Sequence, residues 1–353
     1  MTHLRRTAAV LAAASLSDVL PGIELLGGGD TQTGFFYQFF YPHSLVPETP
    51  HMIEEQMRQI VREKRPLREM EMVACSAREL FLKSGHPAAA EALEDLEPKD
   101  LVSVIKIGKF IDLAEGPFCA EVEEVKAFQI LAIEPLGDQE YRLEGAAATN
   151  KDELKAFLKK RARYVKENHL AKGLKLGLWR ILGPRILWLE KGLETRAELL
   201  FWLREKLMRG AREVAAADLS LVAQETFLQK KPLWWVLHRV ADPEGEAGLM
   251  EEVCQSYLEQ LVFPENLNSL LQTIEETLMI LGFHAFLCSE EQKDVKEWSV
   301  EDGLGRSHGV IALTSSGDLW RMSIGVERIL ALLLERTAGD LPPWLKKENR
   351  TLT

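Results

Sequence analysis

Apolar residues recur along this chain in two periods, and the switches between them mark out its elements. Residues 7–17 form an alanine- and leucine-rich run that reads as a helix, ended by Pro21-Gly22. Gly27-Gly28-Gly29 reads as a flexible turn, and the aromatic run GFFYQFFY (34–41) as a strand closed by Pro42. Past Pro47 and Pro50, Ile53, Met57, Ile60 and Val61 fall at helical spacing opposite a charged face, which predicts a helix over 52–64. Ser76 and Glu79 are spaced as a capping box, and Gly85 closes the short helix they would start. Residues 102–112 predict two short strands around Gly108, and 125–133 a further one. Asn150 with Glu153 predicts a helix start. That helix runs to about Lys172, with Leu154, Phe157, Leu158 and Val165 facing inward.

The second half opens near Gly177–Trp179. A helix is predicted over 195–209, with Leu199, Leu200, Leu203 and Leu207 on one face. Residues 239–248 are polar, contain Pro243 and read as a loop. Residues 266–281 are amphipathic, through Leu267, Leu270, Leu271, Ile274, Leu278 and Leu281. A last helix spans 324–337, Gly339 and Pro342-Pro343 end the fold, and 346–353 read as a loose tail. The apolar runs are short: ILALLL (329–334), for one, lies between Arg328 and Glu335. It falls far short of the ~20 apolar residues a membrane helix needs, so no membrane partner is expected.

At about 100–200 residues per domain, 353 residues predict two domains. The net charge of −11 disfavours nucleic acid unless cations are gathered locally. They are. Residues 151–212 hold 17 Lys/Arg against 7 Asp/Glu, a local +10, so the remainder carries −21. Cys75, Cys119, Cys254 and Cys288 show no CxxC spacing, which favours reduced thiols in the cytoplasm. Arg5-Arg6 followed by an Ala-rich stretch fits either a secretory leader or an ordinary helix.

Three stretches, in order, resemble the threonyl-tRNA synthetase family. In 101–133, Asp112, Gly116, Pro117, Lys126, Ala127 and Phe128 match the family's editing domain. In 144–179, Gly145, Ala147, Leu154, Leu158, His169, Leu176, Gly177 and Leu178 match the segment that follows it. In 323–345, Gly325, Glu327, Arg328, Leu332, Glu335, Ala338, Gly339, Pro343 and Trp344 match or nearly match motif 3 of the class II catalytic core. GFFYQFFYPHS (34–44) also fits a family element. The resemblance implies an α+β fold: an editing-type domain, then a reduced class II synthetase-like antiparallel sheet with helices. It implies domains at 1–178, including a basic linker helix at 151–172, and at 179–345. It also favours the N-terminal helix over a leader.

The family edits by hydrolysing serine from wrongly charged tRNA, with a tetrad drawn from H-x-x-x-H and C-x-x-x-H. Here those places fall on Arg6, Val10, Ala114 and Phe118. Val10, Ala114 and Phe118 offer no lone pair to hold a metal or move a proton. Cys119, one place on, reads as a small buried thiol. The two histidines of the family's zinc site align with Leu261 and Leu319, so no metal site is expected. Arg328, with Glu327, occupies the motif 3 place that contacts ATP, and an arginine fork suits phosphate. Motif 2 has no counterpart, and the proline place of motif 1 is Ala217. Glu327 and Arg328 are either a remnant ATP site or an ordinary ion pair. No cofactor is expected; ATP with Mg2+ belongs only to a residual-enzyme reading. The histidines His43, His51, His86, His169, His238, His284 and His308 show no ligand spacing.

Lys155, Lys159, Lys160, Arg163 and Lys166 recur at spacings of three and four, and His169 follows. They are either a solvated helix face or a surface for tRNA. Trp234-Trp235 reads either as core or as a base-stacking platform. The reading that gathers these features is a synthetase-like protein without editing or aminoacylation chemistry, acting as a tRNA- or synthetase-associated factor. A homodimer, or docking on a genuine threonyl-tRNA synthetase through the 195–220 segment, is the protein-partner form. The rivals are an ATP-binding ligase or trans-editing enzyme, a pure scaffold, and a nucleotide or amino-acid sensor. An arginine facing Arg328, from Arg239 or Arg306, would favour the enzyme.

Overall fold

The computed structural model describes residues 1–182, 185–209, 211–214, 232–238, 256–288, 295–337, 341–342 and 345. The chain divides into two compact units, Met1–Lys160 and Arg161–Thr353. The division falls inside the basic helix, at Lys160 rather than at Leu178. Residues 161–178 are tied into the second unit by a buried polar network described below.

The first unit starts with α1 (Thr2–Val19), longer than the predicted 7–17 because no breaker precedes Pro21. It is buried all round from Thr7 to Leu16, which makes it the core helix of this unit. It packs against the antiparallel sheet β1-β2-β7-β6, formed by β1 (Glu24–Asp30), β2 (Phe35–Phe40), β6 (Ala127–Pro135) and β7 (Glu140–Ala148). The glycine triplet predicted as a turn is therefore strand. Gly28 pairs with Tyr37, and a Cβ on Gly28 would lie 2.2 Å from the Tyr37 ring and 2.5 Å from the Phe36 carbonyl oxygen. Glycine is what lets these strands close over a buried tyrosine. The helix α2 (Thr49–Arg62) buries Ile53, Met57 and Ile60 as its period predicts.

A second sheet, β3-β4-β5, consists of β3 (Leu67–Val73), β4 (Leu101–Ile107) and β5 (Phe110–Leu113). With it go α3 (Ala74–Lys83) and α4 (Pro87–Glu91). Ser76 does not cap α3. Strand β3 runs directly into the helix, and the amides of Ala74 and Cys75 donate instead to the carbonyls of Asp100 and Pro98. The helix α5 (Lys151–Glu167) follows, started by Asn150, whose Oδ1 accepts from the Glu153 amide at 2.9 Å.

That helix stops at Glu167 rather than Lys172. Asn168 is extended (ψ 173°) and its side chain caps a separate helix, α6 (His169–Leu176), by accepting from the Ala171 amide. Val165, expected inside, is exposed. In the second unit β8 (Trp179–Leu182) and β9 (Arg185–Trp188) form a hairpin, and α7 (Glu190–Leu207) begins earlier than predicted. Leu199, Leu203 and Leu207 are buried as expected.

The central sheet of this unit has seven strands in the order β10-β11-β12-β16-β15-β14-β13. They are β10 (Arg212–Glu213), β11 (Leu233–His238), β12 (Ser256–Val262), β13 (Ala285–Cys288), β14 (Val295–Glu301), β15 (Ser307–Ser316) and β16 (Leu319–Gly325). Pairing is antiparallel except between β10 and β11. One face carries α8 (Leu267–Ile280) and α9 (Val326–Arg336), and the core between them includes Leu258, Ile274, Met322, Ile324 and Leu330. The fold is thus a mixed one built on antiparallel sheets. Ala217, Cys254, the 239–248 loop with Arg239, Ala338, Gly339, Pro343, Trp344 and the 346–353 tail lie outside the described residues.

Candidate functional site

Three of the four editing-tetrad places converge in the first unit. Arg6 and Val10 are one turn apart on α1, and they line a cavity of ≈ 410 Å³ together with Phe118 from the loop after β5. Ala114 packs beside it in the same core. The Arg6 guanidinium is held by Asp30 (Nε–Oδ1 2.6 Å) and lies over Gly116, where a Cβ would meet Nη1 at 1.5 Å. An arginine in this place carries charge but cannot accept a proton.

The same cavity has a polar cluster that sequence spacing does not announce. Tyr37 Oη donates to Asp112 Oδ2 at 2.6 Å and lies 2.9 Å from His86 Nε2. His86 Nε2 lies 3.0 Å from Asp112 Oδ1. Burial, and then the neighbouring Asp112 carboxylate, push the Tyr37 phenol well above its ordinary value, so it remains a donor. Nε2 of His86 is placed to donate to Asp112. Nδ1 is buried without a partner among the described residues. Cys119, close by, is buried as expected. Burial pushes its thiol up, and its amide donates to Thr7 Oγ1.

In the second unit the zinc-site places are filled with hydrocarbon. Leu261 on β12 and Leu319 on β16 are both buried, in one cluster with Leu233 and Trp235. Trp235 therefore packs in this cluster, and Trp234 in the main core, so neither presents a ring for a base. Beside the leucines, Arg321 Nη2 meets the buried Glu259 Oε1 at 2.5 Å.

Glu327 is fully buried at the start of α9. Its Oε1 pairs with Arg196 Nε at 2.6 Å, and its Oε2 accepts from the Ser256 amide at 2.9 Å. This carboxylate joins α7, β12 and α9. Arg328 donates from Nη1 to the Gly309 carbonyl at 2.5 Å. Arg306 is bound to Asp302 (2.7 Å) and Tyr164.

His169 is buried, with Nδ1 2.8 Å from Glu335 Oε1, so its ring does not face a nucleic acid. Glu335 also accepts from Tyr164 Oη (2.7 Å) and the Gly303 amide (3.0 Å), and Lys172 Nζ donates to the carbonyls of Leu334, Glu335 and Thr337 at the end of α9. By contrast Lys155, Lys159, Lys160, Arg163 and Lys166 are all exposed. At about 100° per residue, Lys155, Lys159, Arg163 and Lys166 fall within about 80° of one another, and Lys160 lies about 60° beyond that stripe. Arg163 pairs with Glu167 at 3.1 Å.

No protein-family model matches this sequence. Threonine–tRNA ligases do. That of Dehalococcoides mccartyi strain 195 is 34% identical over 219 residues, 59% of this chain and 37% of the relative. That of Clostridioides difficile is 30% identical over 57% of this chain and 33% of its own, and that of Marinobacter nauticus 26% over 65% and 37%. The matched region thus spans about a third of these relatives' length. The crystal structure of A. aeolicus tRNASec in complex with M. kandleri SerRS aligns at 12% identity and a TM-score of 0.38, covering 97% of this chain and 92% of that one. By its sequence the chain is a relative of the aminoacyl-tRNA synthetases. Within them, it is a threonyl-tRNA synthetase-related protein.

Proposed function

We propose that this protein is a synthetase-related factor that binds tRNA without carrying out editing or aminoacylation. The observation that carries the reading is the exposed stripe of Lys155, Lys159, Arg163 and Lys166 on α5, in a chain whose net charge is −11. One cationic stripe on an otherwise acidic molecule fixes the orientation in which a polyanion can approach. The absence of both chemistries is supported by what fills the two family sites. Val10 and Phe118 take the places of proton-transferring and metal-binding groups in the first cavity. Leu261 and Leu319 do so on the sheet. The residual-ligase reading is weakened by Glu327, whose carboxylate is saturated by Arg196 and Ser256.

The test is a titration of the full chain with deacylated tRNA specific for threonine, at low and at physiological salt. Binding should weaken steeply as salt rises. Replacing Lys155, Lys159 and Lys166 together with Glu should lower affinity at least tenfold, and reduce the salt slope by about one per lost phosphate contact. Wild-type protein that binds no tRNA at either salt would sink the proposal.

A second reading, association with another copy or with a genuine synthetase, is favoured by the apolar side chains that the hairpin and α7 leave exposed. These are Leu187, Leu193 and Phe201.

A further inference from the structure

Away from the sites above, the first unit has a groove of ≈ 470 Å³ between α2, β6 and the first turn of α5. Its polar lining is Arg58, Arg62, Lys126, Lys151, Glu54 and Gln129, and Phe128 forms part of its apolar wall. Glu54 is already spent: Oε2 accepts from the Ile130 amide at 3.1 Å and Oε1 pairs with Arg58. Arg62 pairs with Glu55 but remains largely exposed. Lys126 and Lys151 are exposed and have no ion-pair partner among the described residues. Two uncommitted ammonium groups, an exposed guanidinium and an aromatic ring thus border one open groove.

The groove is also continuous with the stripe on α5. Lys151, Lys155 and Lys159 follow one another at i+4, about 6 Å apart along the axis, so one ridge of cations leaves the groove and climbs the helix. Spaced cations beside a ring that can stack a base are what an unpaired nucleic-acid strand needs. A free phosphate or a small anion would use a closed cluster instead. We propose that this groove holds an unpaired RNA segment, with phosphates on Lys126, Lys151 and Arg62 and a base against Phe128. The inference rests on the reading of α5 as a tRNA-binding helix, and extends it by naming where a single-stranded part of the RNA lies.

The experiment is fluorescence anisotropy on the full chain with two probes, a labelled unpaired ten-nucleotide RNA and deacylated tRNA. Two variants separate the surfaces: Arg62→Gln with Lys126→Glu in the groove, and Lys155→Glu with Lys159→Glu on α5. All four positions are exposed, and unchanged unfolding midpoints check that folding is intact. The groove variant should bind the short RNA about tenfold more weakly, and Phe128→Leu should weaken it about fivefold or more. If the groove variant binds the short RNA as the wild type does, while the α5 variant loses tRNA, the groove inference falls and the α5 reading stands. If the wild type binds no tRNA, the α5 reading falls and takes with it the groove's assignment to tRNA, even where the short RNA still binds through Lys126. Equal displacement of the short RNA by a poly-glutamate peptide would show selection for charge alone, and would overturn it.

Discussion

Gly28 faces Tyr37 across β1 and β2, and Tyr37 in turn holds Asp112 and His86. Gly28→Ala should therefore cost about 1–3 kcal/mol, because the added methyl meets a buried ring and a backbone carbonyl and neither can move freely. Gly137, with open space around it, is the contrast. Gly137→Ala should stay within about 0.5 kcal/mol. Urea unfolding of both variants checks this, and equal midpoints would contradict it. At this scale the sequence is legible where a residue type excludes a chemistry. Val10, Phe118, Leu261 and Leu319 have no lone pair with which to do what a histidine does; Val10, Leu261 and Leu319 are buried, and Phe118 is half-buried at the cavity wall. It is illegible where a role depends on distant partners. His86 meets Tyr37 from 49 residues away, and nothing in its neighbourhood signals that. Glu327 likewise pairs with Arg196 from 131 residues away, a partner that its own neighbourhood does not signal.

Between elements, Glu335 ties α9 to α5, α6 and the Gly303 turn. Burial would raise its carboxyl pKa, but hydrogen bonds from His169, Gly303 and Tyr164 prevail and hold it below its ordinary 4.5. A depressed folded value stabilises the fold above the unfolded value, and that stability is lost as pH falls through the folded one. Asp302, shifted the same way against burial by His308 and Arg306, adds to this at lower pH. The urea midpoint should fall below about pH 4.5. Glu335→Gln should start lower at pH 7 but vary less across that window. A variant as acid-sensitive as the wild type would refute the assignment. Elements with a strong 3.6-residue period, α2, α7, α8 and α9, can be read from the chain because one face must be buried. The missed strands show no clean alternation. Strand β3 alternates with charges, the β8–β9 hairpin leaves Ile181 and Leu187 exposed, and β12 is buried along almost its whole length. The break at Asn168 is not legible because a capping asparagine looks, in sequence, like any polar residue in a solvated helix.

At the scale of the whole molecule, the two compact units and the basic segment between acidic stretches were both foreseeable from length and charge. The place of the division was not, because the ties of α6 to α9 lie some 165 residues apart in the chain. The exposed Leu187, Leu193 and Phe201 bear on assembly. If they are a contact surface, sedimentation should show a concentration-dependent dimer, which Leu193→Glu with Phe201→Glu converts to monomer. A wild type that stays monomeric at every concentration removes the self-association form of that reading. The leucine-filled face of β12 and β16 has a further consequence. A working site keeps polar groups and open space ready for a ligand, and proteins give up stability to maintain them. Leu261 and Leu319 fill their positions with buried hydrocarbon, so at those two places the sheet is relieved of the usual conflict between folding well and staying poised. The margin gained there lets the surface of the chain change more freely before the fold is endangered, and surface change is how a protein acquires new partners.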